Sequence, residues 1–298
     1  MFMTPQPDSV EATPFTLDQL WIYPIKSCAG IRVPEVTLTD TGLDWDRAWM
    51  VVDEAGEFVS QRELPRMALI QPRFRMGHLE VRAPGMLSLH LSLEGVEAPC
   101  KVRVWDDEVE AYDMGEVAAQ WFSDCLLADR SVVARRLRLV RFDPACHRPS
   151  DVRWTGGRQA PNQFSDGYPL LVLSQASIDD LNERLQLLGR PVAGPERFRP
   201  NLVLGGLGGH DEDRFSSLHL ADGQVELLLV KPCSRCSIPD VDPVSGVADE
   251  GVSPVLQGYR QDRRLMGAIT FGVNGIVAVG SGSTLRAGMP GLARWAAW

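Results

Sequence analysis

The sequence predicts a mainly β protein with a few helices, organised as closed or nearly closed β-barrels. Three observations carry that expectation. Its strand-like runs are short and cut at close intervals by Gly, Pro, Asn and Asp; the longest apolar runs, such as VELLLV at 225–230, are strand-sized; and only two stretches have helical spacing. Many short strands leave many edges, and barrel closure removes them.

In chain order, RAWMVVD (47–53), EAG and EFVSQR (57–62) make a first hairpin, and LEVRA, PGM and LSLHLS (79–92) a second. KVRVW, DD and EVEAY (101–112) make a third, and AITFGV, Asn274–Gly275 and IVAVG a fourth, since Asn-Gly suits a type I′ turn. Helices are expected over EVAAQWFSDCLL (116–127), and over SQASIDDLNERLQLL (174–188), where Ile178, Leu181 and Leu185 follow a Ser cap. The polar, Pro- and Gly-rich stretch 143–165 is a linker or a loop over a site. The expected organisation is a loose tail over residues 1–15, an N-terminal barrel over 16–120 and a second barrel over 121–298.

With 298 residues, 44% of them hydrophobic, the chain can bury a large core. Its first fourteen residues lack both a basic start and an apolar stretch of signal-peptide length, and no run is long enough to span a bilayer, so a soluble, cytoplasmic protein is expected. A net charge of −9 without a long Lys/Arg block argues against nucleic acid as a partner. A small anion needs only a few local cations. Six cysteines, unevenly spread, do not make a secreted disulfide scaffold.

The densest chemistry lies in KPCSRCSIPDVDP (231–243). Cys233 and Cys236 there could be half of a zinc clamp, a thiol–disulfide pair, two small buried residues, or a single thiolate presented to a metal. A closed zinc site needs four ligands, and the further local candidates are Cys146 and His147. A redox pair normally opens a helix, which Pro239 and Pro243 obstruct. Lys231 and Arg235 are near enough in sequence to favour a thiolate. Three other stretches offer anion grips: Lys26 and Ser27 in the turn YPIKSCAG, Arg62 in FVSQRELPR, and Arg199 with Asn201 in RFRPNLVLGG.

YPIKSCAG, GLDWDRAWMVVDEAGEFVSQRELPRMALI, FSDGYPLLVLSQASIDDLNERL, FRPNLVL and KPCSRCSIPDVDPVSG, in that order, resemble the MOSC domain proteins that carry an N-terminal MOSC-type β-barrel, the branch of the amidoxime-reducing components. The resemblance runs from about residue 16 to about 285. It implies two β-rich domains with the molybdenum cofactor, a molybdopterin, between them and a cysteine thiolate on the metal. Matched residue by residue, Cys236 is the implied molybdenum ligand and Cys233 is structural or supporting. Lys26, Ser27 and Arg62 match positions that hold the pterin phosphate, and Arg199, Asn201 and Ser234 match the cradle of the second domain. Asp166 matches an acidic residue beside the metal, with Ser174 opening a helix close by. No cysteine follows Cys236, so the four-cysteine iron–sulfur motif of some relatives is missing here and no iron–sulfur cluster is expected in this chain. The resemblance thus implies a small-molecule substrate and a separate electron-donor protein of ferredoxin, flavoprotein or cytochrome type. Three functions remain open: an oxidoreductase that removes oxygen from N-hydroxylated or N-oxide-type substrates, a non-redox carrier of molybdenum cofactor or sulfur, and, outside the family, a structural β protein with a zinc-binding or inert cysteine pair.

Overall fold

The computed structural model describes residues 12–127, 136–249 and 251–296. Seven strands close into a barrel: Ala12–Ile22, Leu202–Gly205, Leu170–Ser174, Ala268–Val279, Val225–Ser234, Phe215–Leu220 and Pro290–Trp295, the last pairing back onto the first. All neighbours are antiparallel except Leu170–Ser174 and Leu202–Gly205, which are parallel and joined by a crossover containing a helix, α3 (Gln175–Leu187). Alternation sets the two faces. Val172, Leu202 and Leu204 point into the barrel core with Leu17, Leu20 and Leu227, whereas Leu173 and Val203 point outward under Ile178, Leu181 and Leu185 of α3.

A second unit packs beside the barrel. Its four-stranded sheet runs Trp49–Val52, Arg138–Phe142, Asp107–Asp113, Ala98–Val104, and a meander of Gln71–Arg75, His78–Arg82 and Leu89–Ser92 stands next to it. Trp49–Val52 is buried on both faces: Trp49 and Val51 enter one core with Ile25, Val59, Leu79 and Phe122, while Met50 and Val52 enter another with Val104, Val140 and Phe164. Phe122 belongs to the expected first helix, which spans Glu116–Leu126 (α1). Two shorter helices, Val152–Thr155 (α2) and Ser253–Gln257 (α4), lie in the loops of the C-terminal half.

The strands correct the expected organisation. Residues 1–11 lie outside the described residues, but from Ala12 the chain is strand rather than tail, paired from Ala12↔Arg294 to Thr16↔Pro290. The first strand therefore belongs to the second barrel, and Arg138–Phe142 pairs with the N-terminal Trp49–Val52. A cut between 120 and 121 falls inside α1 and splits one core, which holds Ala118 together with Trp121, Phe122 and Leu139.

The second hairpin forms as expected, and the third forms with its turn at Trp105–Asp106 instead of Asp106–Asp107. The first has one full strand, its return arm reduced to the bridge Val52↔Phe58; that edge of Trp49–Val52 is shared with the bridge Ile25↔Trp49, while Arg138–Phe142 pairs along the opposite edge. The fourth is not a hairpin. Ala268–Val279 runs straight through Asn274 and Gly275, which face Leu171 and Leu170 on one side and Lys231 and Leu229 on the other. Closing the barrel through both edges of this strand outweighs the local turn preference of Asn-Gly. The strand bends instead at Gly272, where φ is 78° and an added Cβ would meet the Val172 carbonyl oxygen at 2.8 Å.

Candidate functional site

A cleft of about 290 Å³ opens between the two units and is walled by both. Six basic side chains line it, Lys26, Arg47, Arg62, Arg199, Lys231 and Arg235, against one carboxylate, Asp166. In a protein of net charge −9 this is a local reversal of sign, and low-dielectric walls concentrate its field on an entering anion.

The N-terminal wall starts at YPIKSCAG. The bridge Ile25↔Trp49 and the bond from Lys26 N to Trp49 O (2.8 Å) tie this turn to the buried strand. Ser27 then turns with φ 66°, and its carbonyl accepts Gln61 Nε2 at 2.7 Å. Lys26 is buried, and its Nζ donates to Phe164 O (2.8 Å) and to Asp166 Oδ1 (2.5 Å). Burial lowers the ammonium's pKa, and Asp166 opposes that shift. Desolvation by the surrounding cleft walls pushes the Asp166 carboxyl up, but Lys26 and Trp105 Nε1 (3.3 Å) hold it well below the usual carboxylate range. The Asp166 side chain is 69% exposed, so this ionised carboxylate still opens to the cleft.

Arg47 and Arg199 form the floor. Each sits in the left-handed region, at φ 52° and 61°, just before a buried strand, and their guanidinium carbons lie 4.5 and 4.3 Å from the centre of the Tyr23 ring. Arg47 pairs with Asp46 and donates to Asn201 Oδ1 (3.2 Å) and Arg199 O (2.9 Å). Arg199 Nη1 donates to Cys28 O at 2.6 Å, while its Nη2 is buried with no protein partner. Burial and the neighbouring Arg47 push Arg199 down to about 10. A buried, unpaired guanidinium N–H beside a second guanidinium is unfavourable until an anion arrives.

The opposite wall is the end of Val225–Ser234 and the two residues after it. Cys233, Ser234, Arg235 and Cys236 all line the cleft. Arg235 Nη1 donates to Cys233 Sγ (3.1 Å) and Nη2 to Phe198 O (2.7 Å), and its buried Nε has no protein partner. Cys236 is exposed, in the gap before the 3-10 turn Ile238–Asp240 that contains Pro239. One sulfur is thus held by an arginine and the other projects freely. All six cysteines are free, and among the described residues no three His, Cys, Asp or Glu side chains gather as a metal site, so Cys233 and Cys236 have no companions for a closed zinc clamp. Cys28 faces the N-terminal core, where burial pushes its thiol up.

Lys26, Ser27, Arg62, Asp166, Arg199, Asn201, Ser234 and Cys236 therefore converge on one cleft. Two of them are also engaged with the protein itself. Asn201 spends its amide on the protein, accepting from Leu171 N (3.1 Å) and donating to Trp21 O (3.2 Å), so it positions Arg47 rather than reading a ligand. Arg62 stands at the rim, 4.6 Å from the Trp105 ring centre and donating to Ser60 Oγ at 3.2 Å.

Ser174 is outside the cleft. It is fully buried and caps α3, its Oγ accepting Ser177 N at 3.1 Å, beside Glu212. Ser174→Ala should accordingly lower stability by about 1 kcal/mol in urea unfolding and leave any bound metal unchanged.

Arg47, Trp105 and Arg148 were missed from the sequence. Arg47 had a signal, since DRAWMVV repeats the arrangement of FRPNLVL, an arginine just ahead of a buried strand. Trp105 had none, since KVRVW-DD-EVEAY reads with Trp105 in the strand and the turn at Asp106–Asp107.

The donor set suits a phosphorylated cofactor bearing a soft metal: an exposed thiol for the metal, and buried guanidinium donors lacking partners for the phosphate. Residues 14–129 match the family described as MOSC N-terminal beta barrel domain, and residues 159–289 match the MOSC domain. The chain is 37% identical over 242 residues to mouse mitochondrial amidoxime-reducing component 1, covering 78% of this chain and 68% of that protein. It is 36% identical over 265 residues to the human component 1, covering 85% and 75%. With rat mitochondrial amidoxime reducing component 2 it shares 33% identity over 244 residues, covering 78% and 69%. No helix among the described residues is long and apolar enough to cross a membrane. A seven-stranded barrel, a cationic cleft shared with an N-terminal β unit and these matches together place the chain in the MOSC family, among the relatives of the amidoxime-reducing components.

Proposed function

We propose that this chain is a molybdenum-cofactor-dependent reductase of N-hydroxylated compounds that draws electrons from a separate donor protein. The observation that carries the reading is Cys236, an exposed thiol at the end of a barrel strand, opening onto a cleft with six cations and one carboxylate. The names of the relatives supply the substrate class.

In this reading Lys26, Ser27, Arg47 and Arg199 hold the cofactor phosphate, each charged hydrogen bond contributing roughly 1.5–3 kcal/mol. Ser234 and Arg235 border the pterin, and the Cys236 thiolate is the protein's ligand to molybdenum. Bound there, the cofactor supplies two-electron removal of oxygen from the substrate. The chain orients the reactants. Asp166, kept ionised by Lys26, accepts an N–H of the amidoxime substrate at the cleft opening. Arg235 keeps the Cys233 sulfur engaged, so that a single thiol is presented.

The test is metal and pterin content of protein purified from cofactor-replete cells, followed by oxidation of a reduced viologen dye with an amidoxime as acceptor. Molybdenum near one per chain with amidoxime-dependent dye oxidation is expected. Zinc or no metal sinks the cofactor reading; molybdenum without turnover leaves a carrier.

A further inference from the structure

We infer that Trp105 determines specificity at this cleft: its indole forms an aromatic wall that favours N-hydroxylated compounds bearing a flat aromatic group, while its Nε1–H positions Asp166. The inference rests on the function proposed above.

The backbone points to it first. The pairing Val104↔Asp107 leaves a two-residue turn, Trp105 and Asp106, and Trp105 occupies it at φ 57°. Such a conformation suits Gly or Asn and disfavours a bulky side chain. A residue needed only to close the hairpin would not be tryptophan; strain of this kind collects where a side chain has a task.

The contacts say which task. The ring, 41% exposed, lines the cleft instead of covering its own hairpin. It packs at 4.9 Å and 58° on Phe58, whose backbone N is bonded to Arg103 O of the same hairpin at 3.2 Å. Arg62 lies 4.6 Å from the ring centre, and Nε1 donates to Asp166 Oδ1 at 3.3 Å. Phe58 and Trp105 thus give the cleft an aromatic face next to the carboxylate assigned to the substrate. A phenyl group beside the N–OH function can cover that face, and a methyl group cannot.

The experiment compares wild type, Trp105→Ala and Trp105→Phe as purified holoprotein, using benzamidoxime and acetamidoxime. Calorimetric titration gives affinities independently of turnover, and dye-linked assays give kcat and KM. Trp105→Ala should weaken benzamidoxime binding about 10-fold while leaving acetamidoxime within about twofold. Trp105→Phe should keep benzamidoxime binding within about threefold yet lower kcat for both compounds, because the ring stays and the donor to Asp166 is gone. Equal effects of Trp105→Ala on both ligands, or no preference for benzamidoxime in the wild type, overturn the aromatic wall. Unchanged kcat in Trp105→Phe overturns the positioning role. Ring-dependent binding without wild-type turnover would support the wall and sink the reductase reading. Turnover with selectivity indifferent to Trp105 would do the reverse.

Discussion

Cys236→Ala is expected to give a folded protein that retains no molybdenum and does not reduce amidoximes. Folding should survive because Cys236 is exposed, between the end of a strand and a single 3-10 turn, and belongs to none of the hydrophobic cores. Surface substitutions of that kind stay within about 0.5 kcal/mol. Loading should not survive, because the thiolate is the proposed covalent attachment to the metal. Loss of a residue that merely supports a metal ligand costs roughly 10–100-fold in affinity, and loss of the ligand itself costs more. Cys236→Ser should fail as well, since a hydroxyl is a poor substitute for sulfur on a soft metal. Cys233→Ala is the control. Its sulfur accepts from Arg235 instead of projecting freely, so molybdenum should remain near the wild-type level. Metal content by mass spectrometry and urea unfolding of each variant decide the matter. Molybdenum retained in Cys236→Ala, or lost equally in Cys233→Ala, would refute the assignment.

Residues near one another in sequence were legible wherever a motif carried its own conformation. YPIKSCAG, FRPNLVL and KPCSRC each sit at the end or beginning of a barrel-lining segment, and Lys26, Ser27, Arg199, Ser234 and Cys236 from them line one cleft. What the sequence hid is pairing between distant segments. Asn274–Gly275 has the local preference of a turn, yet both edges of its strand are needed to close the barrel. Ala12–Ile22 reads as the start of an N-terminal domain and is a strand of the C-terminal barrel. Asn201 and Ser174 fell to the same cause. Each is polar at an element boundary, and whether such a side chain serves a ligand or its own backbone depends on the neighbours that tertiary structure brings, here Trp21 and Leu171 for one and Ser177 for the other.

Arg148→Ala should be the most damaging change away from the metal ligand, lowering stability by about 3–5 kcal/mol and turnover with it. The reason lies in the loop 143–165, which the sequence left as either linker or cover. It is neither a free linker nor a lid, being packed through Phe164 and Ala160 and pinned by one arginine. The Arg148 side chain is 5% exposed; its Nη1 donates to Asn162 Oδ1 (2.6 Å), Gln163 O (2.8 Å) and Ser165 O (2.5 Å), and Nη2 to Asp166 O (3.2 Å). Its bond to Asp107 (2.7 Å) adds less, because that carboxylate is 53% exposed and screened by water. Removing the guanidinium strands acceptors in the interior at roughly 1–3 kcal/mol each. It also frees the backbone of Asp166, whose carboxylate has to meet Lys26 and Trp105 at the cleft opening. Arg148→Lys should recover only a small part, because an ammonium cannot present the planar fork that reaches several acceptors at once. Urea unfolding of both variants, with kcat measured below the unfolding transition, tests the claim. A loss under about 1 kcal/mol in Arg148→Ala, or unchanged kcat in its folded fraction, would show that the loop holds Asp166 by other means.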